Sequence, residues 1–70
     1  MITLTQAFKL CDIMDKEVVY LRKNGDPWHF PLIYTGKEVR QKYDMKHTIV
    51  IRIRPRFSFG EFEGMEFITK

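Results

Sequence analysis

An α+β fold with the element order α-β-β-α-β-β is what this sequence predicts. Three features carry the prediction: a strict alternation from Ile49 to Phe59, threonine-led helix starts at Thr3 and Thr35, and turn signals at Asn24-Gly25 and between Gly60 and Gly64. Seventy residues leave room for one domain, spanning 1–70. The expected architecture is two short helices on one face of a four-stranded antiparallel sheet.

Thr3 and Gln6 stand at capping-box spacing, and Leu4, Ala7, Phe8, Cys11 and Met14 recur at helical intervals. A helix is expected over about 4–14. Asp12 and Asp15 oppose the helix dipole and predict a frayed last turn. Val18 to Leu21 favour a strand. Asn24-Gly25 then predicts a type I′ hairpin with positive φ at both residues, Leu21 opposite Trp28 and Val19 opposite Phe30. Pro27 and Pro31 cannot donate ladder hydrogen bonds, so the return strand is expected to be an edge or partly irregular.

Thr35 and Glu38 form a second capping box, with Tyr34 and Val39 as a hydrophobic staple, so a second helix is expected over about 36–45. In the third strand, over about 48–57, Ile49, Ile51, Ile53, Phe57 and Phe59 share one parity. Arg52, Arg54, Arg56 and Ser58 hold the other, because side chains on a strand alternate faces. Ile51 is expected among the most buried residues. A three-residue loop at 61–63 would place Phe59 opposite Met65 and Phe57 opposite Phe67, all on the core face. An offset of 32 residues carries Thr3 onto Thr35, Val18 onto Val50 and Arg22 onto Arg54, an element-level repeat.

Composition narrows the function. One cysteine, Cys11, excludes an internal disulfide, and no apolar run or leader pattern appears. The default setting is reducing and cytoplasmic, with no membrane partner. Net charge is +3, concentrated in residues 37–56, where seven basic side chains face two acidic ones. Such a segment reads either as an ordinary solvated face or as a surface for nucleic acid or an acidic protein. No catalytic constellation emerges. Cys11 lies on an apolar stripe, His29 and His47 lack carboxylate or ligand partners at suitable spacing, and the four glycines sit at turns or caps. No enzyme activity, cofactor, metal or small-molecule substrate is expected.

Two binding surfaces remain. Arg52, Arg54 and Arg56 form a basic sheet face that Lys37, Arg40 and Lys42 of the second helix extend. Trp28 and His29, between two prolines, form a candidate protein anchor, since tryptophan and arginine are enriched in interface hot spots. The leading expectation is a non-enzymatic protein-interaction adaptor, regulator or inhibitor, with self-association through a sheet edge included. The alternative is direct nucleic-acid binding by the arginine face. Against it stands the expectation that Phe57, Phe59 and Phe67 point to the core and leave no aromatics to stack on bases.

The runs Glu17-Val-Val-Tyr-Leu-Arg22, Pro27-Trp-His-Phe30 and Gly36-Lys-Glu-Val-Arg40 resemble short uncharacterised proteins encoded on bacterial mobile elements and phages. The resemblance implies a small cytoplasmic accessory or regulatory protein, a class that includes nuclease inhibitors and transcription modulators.

Overall fold

A computed structural model describes residues 1–26 and 30–70. The elements are β1 (Ile2–Thr3), α1 (Leu4–Cys11), β2 (Val18–Lys23), β3 (Leu32–Thr35), α2 (Gly36–Lys42), β4 (Ile49–Ser58) and β5 (Glu61–Thr69). The strands form one five-stranded sheet in the order β1-β4-β5-β2-β3. Every neighbouring pair is antiparallel except β2–β5, which is parallel. The fold class is α+β, as expected, but the four-stranded antiparallel sheet is corrected to a mixed one with an extra edge strand.

The repeat at an offset of 32 residues explains the parallel pair. The chain contains two β-α-β units, β1-α1-β2 and β3-α2-β4, whose N-caps are Thr3 and Thr35. The first strand of each unit pairs with the last strand of the other. β2 and β4 therefore run in opposite directions across the centre. β5 fills the gap between them, so it must be parallel to one and antiparallel to the other.

Both capping boxes form. The Thr3 hydroxyl accepts from the Gln6 N–H at 3.2 Å while Gln6 Oε1 accepts from the Thr3 N–H at 2.9 Å, and Thr35 and Glu38 repeat these distances. The remaining first-turn donors of each helix reach carbonyls of distant loops: Leu4 and Thr5 bond Thr48 and Met45, and Gly36 and Lys37 bond Glu17 and Asp15. Helix α1 ends earlier than expected. Asp12 takes a left-handed conformation (φ 54), and the Asp12 and Ile13 N–H groups close back on Lys9 and Phe8 in a Schellman pattern. Ile13 joins the core rather than continuing a helix.

Leu4, Ala7, Phe8, Ile13, Val19, Leu21, Val39, Val50 and Phe67 make that core, with both helices on the same side of the sheet. Ile51 is not in it. Register passes from Val50↔Thr69 to Arg52↔Ile68, so Ile51 is the extra residue of a β-bulge, and it is 37% exposed. The bulge shifts parity by one. Val50 before it and Ile53 after it share the core side, which a perfect alternation would forbid.

The two turn expectations are also corrected. The two-residue loop with positive φ at both positions lies at Phe59 (φ 51) and Gly60 (φ 81), with Ser58 opposite Glu61 and Phe57 opposite Phe62. Phe57 and Phe59 are exposed, and only Phe67 of the three expected core phenylalanines is buried. At Asn24-Gly25 only Gly25 has positive φ, with the Asp26 N–H bonded to the Lys23 carbonyl. A longer connection follows, and β2 pairs with β3 through Val18↔Thr35 to Leu21↔Leu32. The expected pairing of Leu21 with Trp28 is thereby replaced; Pro27, Trp28 and His29 lie outside the described residues. The Val19–Phe30 pairing gives way to Val19↔Tyr34.

Stability should follow the bulge rather than the alternation. Val50→Ala should cost about 2 kcal/mol, and Ile51→Ala, though it removes more atoms, should cost less. Phe59→Gly should be neutral or stabilising, because an aromatic residue with positive φ is strained and this one contacts solvent only. Urea denaturation of the three variants checks both; equal losses for Val50→Ala and Ile51→Ala would contradict the bulge assignment.

Candidate functional site

Val19 and Leu21 face the helices, so Tyr20 and Arg22 face the other way, on the side that neither helix covers. β4 adds Arg52, Arg54 and Arg56 to that face, and β5 adds Gly64, Glu66 and Ile68. One cross-strand row reads Arg54–Glu66–Tyr20–Ile33 over four strands.

Glu66 is at the centre and is completely buried. Its Oε2 accepts from Arg22 Nη2 at 3.1 Å and Arg54 Nε at 2.9 Å, and its Oε1 accepts from Arg56 Nη1 at 2.6 Å. Burial alone would raise the carboxyl pKa. The hydrogen bonds from Arg56, Arg22 and Arg54 outweigh it, and the net shift is downward. Glu66 is therefore an ionised carboxylate shielded by guanidinium groups. The Arg56 guanidinium also lies 4.8 Å above the Tyr20 ring, and the Tyr20 hydroxyl bonds Glu63 at 3.4 Å.

Gly64 makes this packing possible. A Cβ there would stand 2.5 Å from the Val18 carbonyl oxygen and 3.3 Å from the Tyr20 ring, and its φ of 151 suits glycine alone.

Three guanidinium groups against one carboxylate leave the cluster with two excess positive charges. Most of their N–H donors are unused by Glu66, and Arg22 Nε and Arg56 Nε are buried without an acceptor. Arg52 is exposed on the same face. The cluster is thus a net positive group of guanidinium donors already held in place by Glu66.

The structure brings together only part of the expected site. Lys37, Arg40 and Lys42 belong to α2, on the opposite side of the sheet, and do not extend the arginine face. Arg40 ties the loop after α1 to α2: it bonds Asp15 and the Ile13 carbonyl and stacks 5.0 Å above Phe8. Trp28 and His29 lie outside the described residues. His47, expected to lack a carboxylate partner, has one: exposed, it pairs with Asp44 three residues before it at 3.0 Å, and this side-chain bond is the first cause holding the Asp44 carboxyl below its usual range. Cys11 is half-buried beside the core, and burial raises its thiol pKa. Among the described residues, no group of three or more His, Cys, Asp or Glu could hold a metal.

Arg22, Tyr20 and Glu66 belong to the site but not to the set that the sequence alone points to. The available signal is the opposite charge of Arg54 and Glu66, which face each other only through the 59–60 loop combined with a register shift between Arg56 and Phe57 that leaves Glu63 unpaired. A second feature was also missed. Beyond Gly64 the β4–β5 hairpin has no neighbouring strand among the described residues, and its tip carries Phe57, Phe59 and Phe62, each more than half exposed. Phe57 and Phe62 meet edge to face at 5.9 Å.

No protein-family model, curated protein or solved structure matches the chain significantly. No helix among the described residues is long and apolar enough to cross a membrane.

Glu66 predicts an acid-sensitive fold. Its folded-state pKa lies below the ordinary 4.5, so it stabilises the fold above that pH, and the contribution is lost as pH falls through the lower folded value. Glu66→Gln should weaken stability at neutral pH by about 2 kcal/mol and flatten the decline below pH 4.5. Thermal unfolding of both proteins from neutral to acidic pH tests this; parallel curves would refute it.

Proposed function

We propose that this protein is a non-enzymatic binding module that holds the phosphate backbone of a nucleic acid on its arginine face. The observation that carries the reading is the cluster itself: Arg22, Arg54 and Arg56 fixed by one buried carboxylate, with net positive charge, on the sheet face that no helix covers. Guanidinium forks match phosphate oxygens in pairs, and forks already immobilised lose less entropy on binding. Of the aromatics expected in the core, Phe57 and Phe59 are exposed, so the expected lack of exposed aromatics does not stand against this reading as it did.

A protein partner is the second reading, and the hairpin tip favours it. Glu61 and Glu63 flank Phe62, and two carboxylates beside an aromatic cluster repel phosphates. They suit an apolar cleft with a basic rim on an adaptor's target or on an inhibited protein.

Titration with duplex and single-stranded DNA and with RNA at two salt concentrations separates the readings. Backbone binding should weaken with salt, with a slope of about 0.9 per duplex phosphate contacted. Arg52→Gln should reduce that slope by about one contact and leave the melting temperature unchanged, because Arg52 is exposed. Replacing Arg54 and Arg56 is not a clean test, since it also unpairs Glu66. Salt-independent affinity, or full affinity in Arg52→Gln, would count against the phosphate reading.

A further inference from the structure

The two edges of the sheet differ in how they resist pairing with another chain. On the β4 side, β1 covers only Ile49 and Val50. The rest of β4 carries the Ile51 bulge, three arginines and Pro55, each of which discourages the addition of a strand. On the other side, β3 reads Leu32-Ile33-Tyr34-Thr35 and holds no charge, proline, glycine or bulge. Leu32 is 58% exposed and Ile33 63% exposed, and they lie on opposite faces of the strand. Among the described residues, no further strand faces the main-chain groups along the outer side of β3. Such an edge is a template for pairing.

We infer that β3 pairs antiparallel with β3 of a second copy, joining two five-stranded sheets into one. Symmetry restricts the register. A two-fold axis normal to the sheet places each residue opposite one of equal parity, because directly opposed side chains share a face. Within the four residues of β3, the register that uses the exposed apolar side chains sets Ile33 against Ile33 of the second copy and Leu32 against Tyr34. Ile33 then completes a continuous row, Arg54–Glu66–Tyr20–Ile33, met by its own mirror in sequence. On the helix side, Leu32 meets Tyr34, which already packs against the core. An identical strand satisfies both faces at once. Pro31 before the strand and the α2 capping box at Thr35 limit the pairing to this segment. The dimer stands independently of the phosphate reading, since no arginine takes part in it.

Sedimentation of the full chain should give a mass twice 8.5 kDa that dissociates on dilution. Ile33→Lys should give the 8.5 kDa species at the same concentration with an unchanged circular dichroism spectrum. Register is tested in a Cys11→Ser background. Directly opposed residues have Cα atoms about 4.5–5.5 Å apart, within disulfide range. Ile33→Cys should therefore form an intermolecular disulfide with oxidised glutathione, much faster than a Lys46→Cys control. A monomer at every concentration, a dimer that survives Ile33→Lys, or no faster cross-linking than the control would each overturn the inference.

Discussion

The carboxylate of Glu66 is the constraint around which the uncovered side of this protein is arranged. It lies midway along the central strand, where a half-sheet fold would ordinarily present side chains to water, yet it is fully buried. A lone carboxylate in that position would take up a proton or reach solvent. Instead it draws Arg22 from β2 and Arg54 and Arg56 from β4, so its bonds span the three middle strands. The arginine stems and Tyr20 cover the sheet as a second layer. Removing the carboxylate would leave three like charges together; removing one arginine would strip a buried anion of part of its compensation.

Local signals in the sequence were legible because they depend on few residues. Each capping box needs two side chains three positions apart, and both formed. The basic alternating strand was legible for the same reason. Register was not. The bulge at Ile51 reverses parity on its N-terminal side, so that Val50 is buried, a second register shift follows between Arg56 and Phe57, and nothing in the sequence marks where either falls. The loop at 59–60 was hidden because its first residue is phenylalanine, which rarely accepts positive φ, whereas Asn24-Gly25 carried the stronger statistical signal and formed no two-residue hairpin. The site suffered accordingly. Its arginines on β4 were visible as a stripe, but Glu66, Tyr20 and Arg22 join them only through the pairing of β5 with both neighbours.

The symmetry of the fold explains why the central strand matters. Two β-α-β units exchange strands, and each helix N-terminus is bonded by a loop of the other unit. Neither unit forms the sheet alone, because β2 and β4 are not hydrogen-bonded neighbours and β5 lies between them. β5 follows both units in sequence, so the pairs β4–β5 and β2–β5, the most extensive in the sheet, form only once β5 joins them. The parallel pair also explains the shift from the expected antiparallel sheet: the final strand pairs with its sequence neighbour on one side and with a strand from the first half on the other.

A buried ion cluster is a poor way to gain stability, since well-packed apolar residues of similar volume commonly do as well or better. For the proposed phosphate-binding face, its advantage lies in rigidity. An arginine on a free stem loses about 1.5–2 kcal/mol of rotamer freedom when it grips a ligand. Glu66 has already removed much of that freedom from three of them, and it neutralises only one of their charges. The result is a fixed array of donors with a net positive field. Apolar residues at these positions would cover the sheet equally well, but they would present nothing to an anion.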